Sequence, residues 1–337
     1  MIKAIGLFSG GLDSILAVKL IKDQGIDSDV IHFDLGVEPL HIERRVKQRK
    51  TEVTEQEIEQ QLGISITHLD VAQEFLSVLL HPKHGYGSGM NPCIDCKIFI
   101  MQKAKTYMET HGAQFIFTGE VIGQRPMSQQ RQTMLQTERE AGLSGYLVRP
   151  LSAKLLDPTI PEQQGWVDRE QFLGISGRSR SVQTELAQKY QLHYPQPSGG
   201  CLLTDPQFSR RLKELLTYNT AEGIQVEDIQ LLKLGRHFRF PGGLKIIVGR
   251  HEFDNNLLES YIQGRWQAQL REYEGPLVLI EGKPTEAQFE QIAQLLVSYT
   301  KAKHAERATV EFIREVERHT VTIIPDGTGH FEPWRIV

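Results

Sequence analysis

Short apolar runs alternate with stretches of helical spacing through the first 150 residues. Short segments rich in apolar residues occupy positions 2–8, 30–34, 64–70 and 114–118. Runs this short, bounded by turn residues, predict buried strands. Between them, apolar positions three and four apart predict helices over 14–24, 40–62, 72–80 and 96–111. Strands that alternate with helices build parallel sheets through βαβ units. The expected fold class is therefore α/β, a doubly wound parallel sheet, whose ligands sit outside the carboxyl ends of the strands. The 40–62 helix carries Glu43, Arg44, Arg45, Lys47, Arg49 and Lys50. It reads as a solvated face, with RNA contact as the alternative.

The pattern changes after residue 150. Pro150, Pro158, Pro161, Pro195, Pro197 and Pro206 punctuate short segments around a helix expected at 182–190. From about residue 231 a smaller α+β domain begins, with strands expected at 245–248, 276–281 and 321–324 and helices at 287–298 and 310–318. No apolar stretch reaches the roughly 20 residues needed to cross a bilayer. Met1-Ile2-Lys3-Ala4 enters a strand without signal-peptide anatomy, so a cytoplasmic location is expected. A formal net charge of -4 argues against a general polyanion binder and confines RNA contact to local basic surfaces.

Chemistry enters at the end of the first strand. Ser9-Gly10-Gly11-Leu12-Asp13-Ser14 joins that strand to a helix. Glycines there let backbone N–H groups converge, and the helix N-terminus adds partial positive charge, which together make a phosphate trap. The segment lacks the lysine of G-x-x-x-x-G-K-[ST] and the third glycine of G-x-G-x-x-G. Ser9 and Ser14 offer hydroxyl donors, and Asp13 is a candidate Mg2+ ligand. Asp34, just past the second strand, is expected beside the nucleotide. The plain alternative is a strand–turn–helix whose Asp or Ser merely caps the helix.

There are three cysteines. Cys93 and Cys96 form a C-x-x-C, and Cys201 follows Gly199-Gly200. Three cannot all pair, and structural zinc asks for four ligands; His81, His84 and His193 are candidates for the fourth.

The Ser9–Ser14 loop resembles the S-G-G-x-D-S loop of the PP-loop ATP pyrophosphatases. Thr118-Gly119-Glu120-Val121-Ile122-Gly123-Gln124-Arg125 resembles the T-G segment of PP-loop tRNA thiolation enzymes, the thiouridylase type. Gly199-Gly200-Cys201-Leu202-Leu203 resembles the segment around their second cysteine. The resemblance spans about residues 1–215. It departs from that pattern at Glu120 and Gln124-Arg125, where the family often has His, which bears on the substrate more than on the reaction class. It implies that ATP adenylates a uridine oxygen of tRNA, releasing pyrophosphate, and that sulfur then displaces AMP. ATP and Mg2+ are the implied cofactors. Thr118, Gly119, Gln124 and Arg125 join Ser9, Gly10, Gly11, Asp13, Ser14 and Asp34 as expected nucleotide contacts.

Cys93, Cys96 and Cys201 are the expected catalytic and metal-ligating thiols. Two sulfur routes stay open: a [4Fe-4S] cluster held by all three, or a persulfide resolved by a second cysteine; zinc or no metal is the remaining reading. The persulfide route needs lowered thiol pKa values, for which Lys97 and Arg125 are the local positive charges. The sulfur would come from sulfide or a cysteine-desulfurase system. Lys97 is also a candidate to neutralise phosphate or oxyanion charge, and Lys154 is a further contact candidate; Arg178 and Arg180 form a basic loop suited to RNA phosphates or, alternatively, cap the helix at 182–190.

Ile246–Leu257 contains Gly249-Arg250-His251 and Asn255 and resembles the G-R-N-x-x-x-N-x-x-L segment of the NFACT-R RNA-binding module. Basic and acidic side chains balance in this region, so RNA binding would need a local patch such as Arg236, His237, Arg239, Lys245 and Arg250. Three segments follow: 1–150 nucleotide-binding, 151–230 an extension carrying Cys201, and 231–337 the RNA-binding candidate. Two other functions fit the same residues. One is a small-molecule ligase or amidotransferase that needs neither cysteines nor RNA; the other is an RNA-binding factor that senses nucleotide without turnover.

Overall fold

The four apolar segments become four of the five strands of one wholly parallel sheet. The computed structural model describes residues 2–39, 53–196, 201–327 and 331–337. Contacts divide the chain into two units, Met1–Thr204 and Asp205–Val337. The first unit contains β1 (Lys3–Leu7), β2 (Asp27–Asp34), β3 (Ile66–Asp70), β4 (Phe115–Thr118) and β5 (Leu147–Val148), in the order β3-β2-β1-β4-β5. The order reverses between β1 and β4, which makes their carboxyl ends the topological switch point. Gly6 permits the close fit there: a Cβ on it would lie 2.5 Å from the Phe117 ring of β4.

Helices α1 (Leu12–Lys22), α2 (Glu55–Leu62), α3 (Ala72–Leu80), α4 (Cys93–Thr110), α5 (Arg131–Glu140), α6 (Ile160–Gln163) and α7 (Ser181–Lys189) complete this unit. Helix α1 is buried nearly all round, with Ile15, Leu16, Val18 and Ile21 among its covered side chains. One face meets the sheet; Val167, Phe172, Ile175, Ala187 and Leu192 share its core. Each fully covered side chain of this size contributes about 1.5–3 kcal/mol, so the proline-rich extension is tied to the sheet by apolar packing. The charged helix expected at 40–62 is seen from Glu55, where Thr54 and Glu57 form a capping box. Residues 40–52 lie outside the described set.

The second unit holds α8 (Pro206–Tyr218), α9 (Val226–Leu231), β6 (Arg236–Arg239), β7 (Lys245–Val248), α10 (Glu252–Leu258), β8 (Trp266–Leu270), β9 (Val278–Glu281), α11 (Glu286–Ser298), β10 (Ala308–Arg314) and β11 (Glu317–Ile323). Its sheet runs β11-β10-β8-β9-β7-β6, every neighbour antiparallel. Phe289, Ile292, Ala293 and Leu296 of α11 are buried in its core.

One expected helix is wrong. Residues 310–318 form the β10–β11 hairpin, with Arg314 paired to Glu317 across a two-residue turn. Val310 and Phe312 are buried while Glu311 between them is not, which is the period of a strand. The turn was hidden because Glu315 takes the left-handed conformation, φ 53°, without a glycine or asparagine to announce it. Among the described residues, no helix is long and apolar enough to cross a membrane.

Candidate nucleotide and thiol site

Gly10 sits at φ +72°, a conformation that only glycine adopts freely, and turns the chain from β1 into α1. The N-cap of α1 is Gly11, and no side chain caps the helix. Its first-turn N–H groups are therefore free of side-chain acceptors and aim their dipole at the switch point. Ser14 Oγ donates to the Gly11 carbonyl at 2.7 Å, and the hydroxyls of Ser9 and Ser14 lie 3.4 Å apart. From β4, Thr118 leads into Gly119. A Cβ on Gly119 would be 2.5 Å from the Asp13 backbone carbonyl, so a bare backbone is required where the two loops touch.

Asp13 organises the rest. Gln124 Nε2 donates to one carboxylate oxygen at 2.6 Å, and Gln183 Nε2 to the other at 3.3 Å. Arg180 Nη2 lies 3.6 Å from the same carboxylate. Gln183, fully buried at the start of α7, also donates to the Gln124 side-chain carbonyl at 3.1 Å. Sequence reasoning placed Arg180 only as an RNA or capping residue and missed Gln183. Neither has a motif, and both lie more than 160 residues from Asp13. The two glutamines take one acceptor site on each Asp13 oxygen, and a carboxylate has about four.

The C-x-x-C opens helix α4, which starts at Cys93, three residues before the expected boundary. Cys93 and Cys96 thus lie three apart on one helix face. Asn91 Nδ2 donates to Cys93 Sγ at 3.0 Å. The Cys201 segment is joined to the same region by Met90 N–H donating to the Leu203 carbonyl at 3.0 Å. The thiols sense one another's charge, along with Glu38 beyond β2 and Arg125 beyond β4. Their neighbours therefore come from the carboxyl-end loops, the edge that carries the phosphate loop.

Burial pushes the Cys96 thiol up to about 12, against the smaller opposite pull of Lys97. Burial raises Cys201 as well, outweighing the Leu203 backbone hydrogen bond and Arg125. The lowered pKa values that a persulfide route requires are thus not found at either thiol. Among the described residues, no group of three or more side chains spaced to share an ion combines His81, His84 or His193 with the cysteines. Both ring nitrogens of His84 face carboxylates, Asp95 at 2.9 Å and Glu140 at 3.2 Å, and His193 hydrogen-bonds Gln61 through its backbone.

Lys97 Nζ is 3.3 Å from the buried Glu120 carboxylate. Arg149, also buried, reaches Glu120 at 3.2 Å and Glu138 at 2.6 Å. Burial alone would raise the Glu120 pKa, but Lys97 and Arg149 together hold it below the ordinary carboxylate range. Glu120, where the resembling family often has histidine, is thus a fixed anion two residues past Thr118. Asp34 ends β2 between His32 and His68, at 3.4 and 3.3 Å. Burial disfavours charge on His68, yet Glu55 and Asp34 outweigh it and raise that pKa. Lys154 is engaged by Glu170, and Arg178 is exposed.

In the second unit the expected basic patch does not form. His237 and Lys245 are interior, and burial lowers both pKa values. Arg239 pairs with Glu214 and stacks on Tyr218. Arg211 is buried and donates to the carbonyls of Leu232 and Gly235. The Gly249–Leu257 segment closes on itself. Asn255 Oδ1 accepts from Leu277 N–H at 3.1 Å, in space that a Cβ on Gly249 would fill. Buried Asp254 accepts from Arg250 Nε at 2.6 Å and from the backbone N–H of Gly235 and Arg250 at 3.1 Å. His251 caps α10, its Nδ1 accepting from Asp254 N–H at 3.3 Å; it does the work of the asparagine that the resembling segment favours.

Residues 2–161 match the tRNA methyl transferase HUP domain, and residues 235–335 match the NFACT protein RNA binding domain. The chain joins a HUP-type, PP-loop-like nucleotide-binding domain to an NFACT-R-like RNA-binding domain. It loosely resembles tRNA-modifying proteins of the thiouridylase type. No curated protein matches it. Three solved structures are similar to parts of it. A predicted subunit of tRNA methyltransferase from Methanocaldococcus jannaschii is 14% identical over 56% of this chain and 76% of its own, with TM-score 0.34. A 4-thiouridine synthetase in complex with RNA and ATP is 18% identical over 68% of this chain and 52% of its own, with TM-score 0.38. The C-terminal part of the fibronectin/fibrinogen-binding protein of Streptococcus suis is 12% identical over 72% of this chain and 100% of its own, with TM-score 0.28.

Proposed function

We propose that the protein is an ATP-dependent tRNA sulfurtransferase. The observation that carries this reading is the shared strand edge. The uncapped N-terminus of α1 and the three thiols answer to loops from the same carboxyl ends.

In the proposed reaction the N–H groups at Gly10–Asp13 bind the phosphates of ATP, and Ser9 and Ser14 add hydroxyl donors. A uridine carbonyl oxygen attacks the α-phosphorus; the bond to the β-phosphate oxygen breaks and pyrophosphate leaves. A sulfur nucleophile then attacks the activated carbon, and AMP departs with the oxygen. Lys97, tethered by Glu120, supplies positive charge beside Cys96. Gln124, Gln183 and Arg180 hold Asp13 and fix the loop. Asp13 would hold Mg2+ through the lone pairs that the glutamines leave open, and the ion would neutralise charge on the phosphates.

The thiols suit a [4Fe-4S] cluster better than free persulfide chemistry. Desolvation favours the protonated form of Cys96 and, less strongly, of the exposed Cys201, and coordination to a metal removes such protons outright. Cys93, Cys96 and Cys201 would hold the cluster, which supplies an iron with an open position for sulfide. Asn91 donates to Cys93 Sγ, a hydrogen bond that supports negative charge on that sulfur.

The test is incorporation of labelled sulfide into tRNA by protein purified without oxygen. Cys93→Ser, Cys96→Ser and Cys201→Ser should each abolish incorporation. Full activity in Cys93→Ser or Cys96→Ser would eliminate the three-thiol arrangement.

A further inference from the structure

A second group of metal-ligating side chains, made without the cysteines, lies on the first sheet. His32 and Asp34 are two residues apart in β2 and so share a face. His68 is the parallel register partner of His32 on β3. Their ring centroids are 5.0 Å apart. Among the described residues, one ligand atom each from His32, Asp34 and His68 lie within 4.8 Å of one another.

Hydrogen bonds on the far side of each ring fix which nitrogen faces the group. His32 Nδ1 is 2.9 Å from the Phe8 carbonyl, which can only accept, so Nδ1 carries the hydrogen and Nε2 is bare in the neutral ring. His68 Nε2 is 2.9 Å from the Glu55 carboxylate, which leaves Nδ1 bare. The bare nitrogens lie 3.4 and 3.3 Å from the two Asp34 oxygens. Lone pairs thus converge, and the arrangement is favourable only with positive charge among them, either protons on the rings or one divalent ion.

The spacing suits an ion. Ligand atoms about 2.0–2.1 Å from tetrahedral zinc are roughly 3.4 Å from each other. The outer partners, a backbone carbonyl and a carboxylate, are the type that orient metal-bound histidines. We propose that His32, Asp34 and His68 bind a borderline divalent transition ion of the zinc or cobalt class, with Glu55 and the Phe8 carbonyl orienting the rings. Three protein ligands leave a coordination position for water or an anion. Phe8 follows β1 and immediately precedes Ser9, so the carbonyl that orients His32 lies on the segment leading from β1 into the phosphate loop. The site requires neither the cysteines nor sulfur transfer.

The test is titration of the full, metal-stripped chain with Co2+, followed by visible absorption and calorimetry. The expected result includes one Co2+ whose spectrum lacks thiolate-to-metal charge transfer, which separates it from any ion on the cysteines. His32→Gln and His68→Gln should weaken that binding at least about 100-fold. Glu55→Gln, an exposed change at the start of α2, should weaken it about 10–100-fold. This variant also keeps the test open should the histidine substitutions disturb folding. A wild-type chain that binds Co2+ only through thiolates would overturn the proposal. So would Co2+ affinity that Glu55→Gln and both histidine variants leave unchanged; the group would then be held by protons alone.

Discussion

Two glycine-containing segments resemble family motifs, and the fold treats them in opposite ways. Ser9–Ser14 leaves its helix uncapped at the switch point, with backbone donors facing the strand edge. Gly249–Leu257 closes inward: Asp254 collects four donors, Asn255 occupies the space kept by Gly249, and His251 caps the helix. The first spends its glycines on an opening and the second on a seal. A motif match identifies a local fold; whether it is also a site depends on which polar groups are left without internal partners.

The comparison can be broken in three places. The largest expected effect concerns the thiols at the open edge. At pH 8, Cys96 should be alkylated about 1,000-fold more slowly than a free cysteine, because its pKa is about 12 against roughly 8.5 for a free thiol. Per-residue mass spectrometry reads this directly, and a rate within tenfold of the free thiol would refute the packed-thiol picture.

Next comes the sealed motif. Asp254→Ala leaves Arg250 and two backbone donors without their acceptor, which should cost about 3 kcal/mol in denaturant unfolding. His251→Asn keeps a capping acceptor and should change stability by less than about 0.5 kcal/mol. If both variants unfold like wild type but lose RNA binding, the segment is a contact surface and not a seal.

The smallest of the three is at the open loop. Gly119→Ala places a methyl 2.5 Å from the Asp13 carbonyl. A displacement near 1 Å typically costs about 100-fold in turnover, so AMP formation should fall by that order. Unchanged turnover would show that the β4 loop does not set the position of the phosphate loop.

The parallel sheet and the phosphate loop were legible because buried strands and a glycine turn leave local marks. The partners of Asp13 were not, since Gln124 and Gln183 meet it only after βα units bring distant segments together. The His32–His68 pair depends on strand register, which composition does not encode. The basic patch failed for a different reason. Arg236, His237, Arg239 and Lys245 fall on two paired strands that are covered on both faces, so His237 and Lys245 are buried. Charge read along a sequence says nothing about which side of a sheet it faces. The β10–β11 hairpin was missed through Glu315, which turns the chain with a residue that normally avoids left-handed backbone.

The most direct test of the account is the product of ATP turnover by the full chain, prepared without oxygen, with and without bulk tRNA. The account predicts AMP and pyrophosphate, formed only when tRNA is present. Equal turnover without tRNA, or no turnover by iron-replete protein in either case, would contradict it.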